Sequence, residues 1–247
     1  MTARFKGFGG QVKPGPAIPS PNIWHWPDVY AQENAAQDAD GAIWTALREA
    51  APWAGKDVVD VGCGDGFHLP VFAAEAASVV GVEPHPPLVE RARARVAGTG
   101  IGVLRGGAEA LPLPDRSADV VHARTAYFFG EGCEPGLAEA DRVLRPGGVL
   151  AVVDLDFAAS PYGDWLRADL PTFDPVVVER FFHRHGFRSR SVDTVWRFED
   201  RATLESVLRI EFSKVVADQA LASTPGLTIE VGYRLRTRHR PATLLRP

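Results

Sequence analysis

From Lys56 onward the chain alternates short β-branched runs with stretches of helical spacing. Val58, Val59 and Val61 form an apolar run short enough for a buried strand, and a helix follows to about Ala76. Pro70 falls in the first turns of that helix, where a missing N–H is tolerated. The same reading gives strands over 78–82, 101–104, 119–123 and 149–155, with helices over 86–96 and 137–144 between them. Arg145-Pro146-Gly147-Gly148 stops the last of these helices and turns the chain. Strands alternating with helices predict a parallel sheet covered by helices on both faces.

After Asp156 the rhythm loosens. A helix is expected over 176–185, closed by Gly186, and a strand over 188–198. Asp200 should cap one helix carrying Leu204, Val207, Leu208, Phe212, Val215 and Val216 on a single stripe, before a last strand over 228–235. Arg234, Arg236, Arg238 and Arg240 alternate along that strand and share one side. They read as a solvated face, with phosphate binding as the alternative.

Residues 1–28 hold Gly7, Gly9 and Gly10 and five prolines from Pro14 to Pro27, which excludes a continuous helix or a central strand. The first ten residues or so read as a frayed extension. Trp24 and Trp26 argue that the later part docks on the body, since two exposed indoles would be costly. Asp38 or Asp40 then caps a helix with Ile43, Ala46, Leu47 and Ala50 on one face, stopped before Pro52. With no repeat or low-complexity linker, the organisation is an N-terminal extension and lid, 1–45, on a cofactor-binding domain, 46–247. Residues 156–175 are a further candidate for the cap.

Composition narrows the setting. Hydrophobic residues make up 45% and charged residues 23%, ordinary for a globular protein, and 247 residues suffice for a large core. A formal charge of −4 supplies no field that would draw the chain to nucleic acid or an anionic membrane. Cys63 and Cys133 cannot form a disulfide framework and have no metal-ligand spacing, so no metal is expected. Cys63 lies in a glycine loop, where a small residue is needed and a reactive thiolate is not indicated. The absence of an apolar leader or a spanning run makes the cytoplasm the expected compartment.

The most informative segment is Asp57-Val58-Val59-Asp60-Val61-Gly62-Cys63-Gly64-Asp65-Gly66-Phe67. A strand enters a glycine-rich turn and leaves as a helix, and the glycines let backbone approach a ligand at positive φ. Seventeen residues beyond Gly66, at the end of the second strand, stands Glu83. An acid there accepts hydrogen bonds from ribose hydroxyls in Rossmann-like sheets. Dinucleotide folds carry G-x-G-x-x-G over a pyrophosphate; here the spacing is G-x-G-x-G, and Phe67 fills the third glycine's place. Asp60, just before the loop, would repel phosphates and suits a ligand with a free amino group. That favours S-adenosylmethionine, which bears ribose, ammonium and sulfonium without phosphate.

The segments 58–66, 79–93, 106–121 and 142–154 resemble, in order and spacing, the class I S-adenosylmethionine-dependent methyltransferases of the small-molecule type. The stretches 21–44 and 133–148 resemble an uncharacterised bacterial subgroup of them. The resemblance implies a Rossmann-like, mainly parallel seven-stranded sheet with its last strand antiparallel. It places Asp60, Gly62, Cys63 and Gly64 around the methionine moiety, Glu83 on the ribose and Pro84 beside the adenine, with Ala108 and Glu109 along its edge. Ala123 and Arg124 would face the reacting methyl, and Tyr30 loosely matches a lid tyrosine. The family often has an acid before the Ala-Glu pair, where this chain has Gly107, so adenine would be held by backbone, Glu109 or stacking.

Methyl transfer from a sulfonium needs alignment and exclusion of water, and a base only when the acceptor must lose a proton. No pattern identifies that base. Tyr127, His122 and Arg124 are the candidates by position, with packing as the alternative for Tyr127 and a structural role for His122. His183 and His185 face different sides of a helix and cannot share a metal, and His85 reads as surface. The expected partner is a small-molecule acceptor, with nothing pointing to nucleic acid or membrane and the oligomeric state unreadable. The competing readings are a non-catalytic cofactor-binding regulator, a nucleic-acid methylase and an NAD-dependent oxidoreductase, the last disfavoured by the glycine spacing.

Overall fold

The computed structural model describes residues 21–242. Seven strands form one sheet: β1 (Asp57–Val61), β2 (Ser78–Glu83), β3 (Gly102–Arg105), β4 (Ala118–Arg124), β5 (Leu144–Leu155), β6 (Arg188–Arg197) and β7 (Thr228–His239). Their order is β3-β2-β1-β4-β5-β7-β6, parallel except for β7, which runs against both of its neighbours. The expected mainly parallel sheet with an antiparallel last strand is therefore present. Chain order reverses between β1 and β4, and the carboxyl ends of parallel strands open there into a ligand crevice.

Ten helices complete the described residues: α1 (Pro21–His25), α2 (Pro27–Ala36), α3 (Ala42–Ala50), α4 (Leu69–Ala73), α5 (Pro86–Arg95), α6 (Glu134–Val143), α7 (Tyr162–Asp169), α8 (Pro175–Arg184), α9 (Arg201–Glu211) and α10 (Lys214–Ser223). Strand alternation divides the core into two layers. Val58 and Val120 face Leu47, Trp53, Phe72 and Leu204 on one side, whereas Val59, Val61 and Val121 face Leu137, Phe181 and Phe182 on the other. Trp53 and Phe72 stack edge to face at 5.2 Å and are fully buried. Truncating Phe72 to alanine would cost about 3–5 kcal/mol.

Several expectations change in detail. Among the described residues the proline-rich stretch is interrupted before Pro27, and α1 and α2 each begin on a proline, where the absent N–H is not missed. The first ten residues, expected to be a frayed extension, lie outside the described residues. Asp38 caps α3 by accepting from the N–H groups of Ile43 (2.9 Å) and Trp44 (3.3 Å). The single stripe after Asp200 is two helices. Phe212 is extended between α9 and α10, and Val215 points to solvent. The interruption lets Phe212 reach the Tyr162 and Trp165 rings, at 5.2 and 6.1 Å.

The arginine row on β7 shares one side as expected, but it is not a solvated face. Arg236 is buried, with Asp154 at 2.6 Å and Glu179 at 2.7 Å, and its guanidinium lies over Phe182. Arg234 pairs with Asp156, Arg238 with Asp141, and Arg240 donates to the carbonyls of Asp141 and Leu144. Helix α6 supplies Asp141 and helix α8 supplies Glu179, so the row joins helices to sheet.

Candidate active site at the carboxyl edge of the sheet

The loop after β1 is tied to β2 by the Gly62 N–H, which donates to the Val82 carbonyl at 2.8 Å. Gly62 sits at φ +73°, and a Cβ there would come within 2.5 Å of the Ala126 methyl. Gly64, at φ +57°, faces α1: a Cβ would meet Ile23 Cδ1 at 2.9 Å. Both glycines are thus required by conformation and by space. Asp65 is buried and paired with Arg95.

Glu83 closes the strand beside this loop. Its carboxylate accepts from the Gly64 N–H (3.1 Å) and from the His85 N–H (2.9 Å). Burial raises its pKa, the two N–H donors pull against that, and Asp60 adds to the rise. A carboxylate has about four acceptor sites, so two oxygens fixed by backbone can each take a further hydroxyl donor.

The cavity at this edge is lined by the glycine loop, Glu83 and the segments expected for adenine: Pro84, Gly107, Ala108 and Glu109. Trp24 forms part of the wall and stacks on His85, centroids 4.3 Å apart and planes 12° from parallel. His85 is thus half-buried rather than free surface, and the stack binds α1 to the start of α5. The expected docking of Trp24 is present, whereas Trp26 stays 48% exposed.

At the other end the chain leaves β4 under constraint, with Thr125 and Tyr127 in the left-handed region at φ +49° and +57°. Strained non-glycine backbone of this kind concentrates at functional sites. The Tyr127 hydroxyl donates to Glu109 at 3.0 Å, and burial together with this carboxylate raises its pKa. Its proton is therefore held, which suits a wall or a hydrogen-bond donor better than a base. Burial likewise raises the Cys63 thiol, as do Asp60, Glu83 and Asp65 around it.

Arg124, Gln37, Tyr30 and Asn34 line the cavity opposite Glu83. Arg124 Nη2 donates to Gln37 Oε1 at 2.7 Å, and Gln37 Nε2 donates to Glu33 at 2.8 Å. Glu33 is buried beneath them and faces Glu211, which takes hydrogen bonds from Asn22 (2.6 Å) and Tyr162 (3.3 Å). Burial and the facing carboxylate push Glu33 up, burial does the same to Glu211, and the Tyr30 hydroxyl is raised by burial and by both acids.

Asp60 and Ala123 depart from their expected places. Both are buried and neither lines the cavity. Asp60 and His122 are register partners on β1 and β4, so their side chains meet, His122 Nδ1 to Asp60 Oδ1 at 2.7 Å. This acid braces two neighbouring strands. His122 is 1% exposed and held in the same pair. Residues 156–175 give no lining residue either; α7 packs on β7 and α10 instead.

Ile23, Asn34, Gln37 and His68 line the cavity without having been read from the sequence. Helix α2 carries no apolar stripe to announce which side is inward, and its buried Glu33 contradicts the usual rule. His68, two residues beyond Gly66, has its Nδ1 buried without a partner among the described residues, and burial holds its pKa low. Its place in the glycine segment was the only available signal.

The switch-point sheet, its glycine turn and the acid at the end of β2 define a Rossmann-like domain. Residues 59–152 match the methyltransferase domain family. Over 163 residues it is 37% identical to an uncharacterised methyltransferase of Mycobacterium sp. strain JLS, covering 65% of this chain and 62% of the relative. It is 28% identical over 194 residues to the malonyl-[acyl-carrier protein] O-methyltransferase of Methylococcus capsulatus, covering 76% and 66%. A solved S-adenosylmethionine-dependent methyltransferase of Thermotoga maritima shares the fold, with TM-score 0.56, 21% identity and coverage of 87% and 97%. The chain spans 44%, 62% and 47% of the length of three curated relatives it matches.

Proposed function

We propose that the protein binds S-adenosylmethionine in this cavity and transfers its methyl group to a small-molecule acceptor. The observation that carries the reading is Glu83, whose two oxygens are fixed by the N–H groups of Gly64 and His85 at the cavity wall. That arrangement suits a vicinal diol. A glycine loop with no room for a Cβ at Gly62 or Gly64 lets backbone lie against the same ligand.

S-adenosylmethionine, when bound, supplies a methyl carbon on a cationic sulfur for in-line displacement. The chain's own contribution is to bind, align and dry the site. Glu83 would hold the ribose, and Gly62, Cys63 and Gly64 would pass along the amino-acid end. Pro84, Ala108 and Glu109, with the Trp24–His85 stack, would enclose the adenine. Helices α1 and α2 serve as a lid: Ile23 seats on Gly64, and Tyr30, Asn34 and Gln37 exclude water from the end that Arg124 faces. Asp60 acts as a brace, so the cofactor's amino group is left to other partners.

Among the described residues no helix is long and apolar enough to cross a membrane. Cys63 and Cys133 are free and buried, which fits the reducing cytoplasm. Calorimetry with S-adenosylhomocysteine tests the proposal. Heat of binding is expected with the wild type and a loss of about tenfold to a hundredfold with Glu83→Ala. Absence of heat with the folded wild type would overturn it.

A further inference from the structure

The described arginines that are buried or half-buried near carboxylates are paired. Arg95 meets Asp65, Arg145 meets Asp57 and Asp119, and Arg236 meets Asp154 and Glu179. Arg124 is the contrast. It lines the cavity at the end of β4, yet among the described residues no carboxylate stands within ion-pair distance of it. Neutral groups hold it instead: Gln37 Oε1 accepts from Nη2 at 2.7 Å, and the guanidinium lies 5.3 Å from the centre of the Tyr233 ring. Its Nε is buried without a partner.

Arg124 is half-buried, and a cation partly withdrawn from water without a counter-ion carries a cost; an amide and an aromatic ring fix its position without cancelling its charge. The acid in the network, Glu33, meets Arg124 only through Gln37, whose Nε2 donates to it, and burial and Glu211 push its pKa up. A guanidinium presents a planar fork of donors that matches a carboxylate. Beside it the wall turns apolar, through Ala126, the Tyr127 ring and the half-exposed Phe129.

We infer that Arg124, pre-positioned by Gln37 and Tyr233, receives a carboxylate of the methyl acceptor, whose apolar body lies along Ala126, Tyr127 and Phe129. This rests on the proposed function, in which the end of β4 faces the transferred methyl. The same chemistry could come from the amino-acid carboxylate of the cofactor itself, and the test separates the two sources.

Phenylacetate and octanoate are titrated into the protein saturated with S-adenosylhomocysteine, with phenylacetamide and octanamide as uncharged counterparts. The wild type is expected to bind each acid about tenfold more tightly than its amide. Arg124→Gln should abolish that preference, and Arg124→Lys, which keeps charge without the fork, should retain part of it; melting curves check that both variants fold. Equal affinity for acid and amide, binding of neither, or a preference that survives in Arg124→Gln overturns the inference. S-adenosylhomocysteine and 5′-methylthioadenosine, which lacks the amino-acid end, are then compared in both proteins. Loss of the first with unchanged binding of the second in Arg124→Gln assigns Arg124 to the cofactor and also overturns it. Failure of the wild type to bind S-adenosylhomocysteine would instead defeat the proposed function.

Discussion

The two ends of the cavity are built on different principles. At the Glu83 end the cavity-facing groups are backbone atoms and one carboxylate fixed by backbone, all on strand ends and the loop between them. At the Arg124 end they are side chains on other side chains: Arg124 on Gln37, Gln37 on Glu33, Glu33 against Glu211, with Asn22 and Tyr162 beyond. A backbone cradle tolerates little change and can serve one ligand shape across many proteins. A side-chain network can be rebuilt one residue at a time.

The comparison breaks most sharply at Gly62. Gly62→Val places a branched side chain at φ +73° with its Cβ 2.5 Å from Ala126. Left-handed backbone and overpacking together should cost about 2–4 kcal/mol, read by denaturant unfolding. Calorimetry should find no S-adenosylhomocysteine binding. A variant that bound normally would show that the backbone does not form the cradle.

Glu83→Gln is the next largest. It keeps one oxygen as an acceptor but places an amide NH2 where a second diol hydroxyl or the backbone N–H would donate. Affinity for 5′-methylthioadenosine should fall about tenfold or more. The matching change at the other end, Gln37→Ala, removes the acceptor that orients Arg124, and should leave 5′-methylthioadenosine within about threefold of wild type. Equal losses from both changes would mean that the two ends are one unit.

The same division explains what the sequence disclosed. The Glu83 end was legible because its devices are local: glycines needed for positive φ, and an acid at a set distance along a strand–helix–strand unit. The sheet was legible for the same reason, since strands buried on both faces read as apolar runs. The Arg124 end was not, because each partner lies on a distant element: Arg124 pairs with Gln37 across 87 positions, and Tyr162 with Glu211 across 49. Asp60 shows the converse. Its place before the glycines suggested a ligand group, but strand register sets it against His122, which sequence spacing alone did not reveal.

Asp60→Asn sharpens that correction. As a brace between neighbouring strands, Asp60 should matter for stability and little for the ligand. Replacing one partner of a buried, hydrogen-bonded pair should cost about 1–3 kcal/mol in denaturant unfolding. S-adenosylhomocysteine affinity should change less than about threefold. Tenfold weaker binding in a protein of unchanged stability would restore Asp60 to the site.

The smallest effect on cofactor grip should come from pH acting on the Glu33–Glu211 pair. Both acids are raised by burial, and Glu33 faces Arg124 as well as Glu211, with Gln37 as its hydrogen-bond partner. A carboxyl whose folded pKa lies above its unfolded one binds more protons in the folded state. Its contribution is complete below the ordinary Glu pKa and is lost as pH rises through the raised value. Melting temperature should therefore fall as pH climbs above the usual carboxylate range, and Glu33→Gln, which needs no proton to be neutral, should flatten that fall. Affinity for 5′-methylthioadenosine, held at the other end, should stay level over the same pH range while the protein remains folded. A melting profile of equal slope in Glu33→Gln and wild type would remove this pair as the source, and a parallel decline in 5′-methylthioadenosine binding would join the two ends that the structure sets apart.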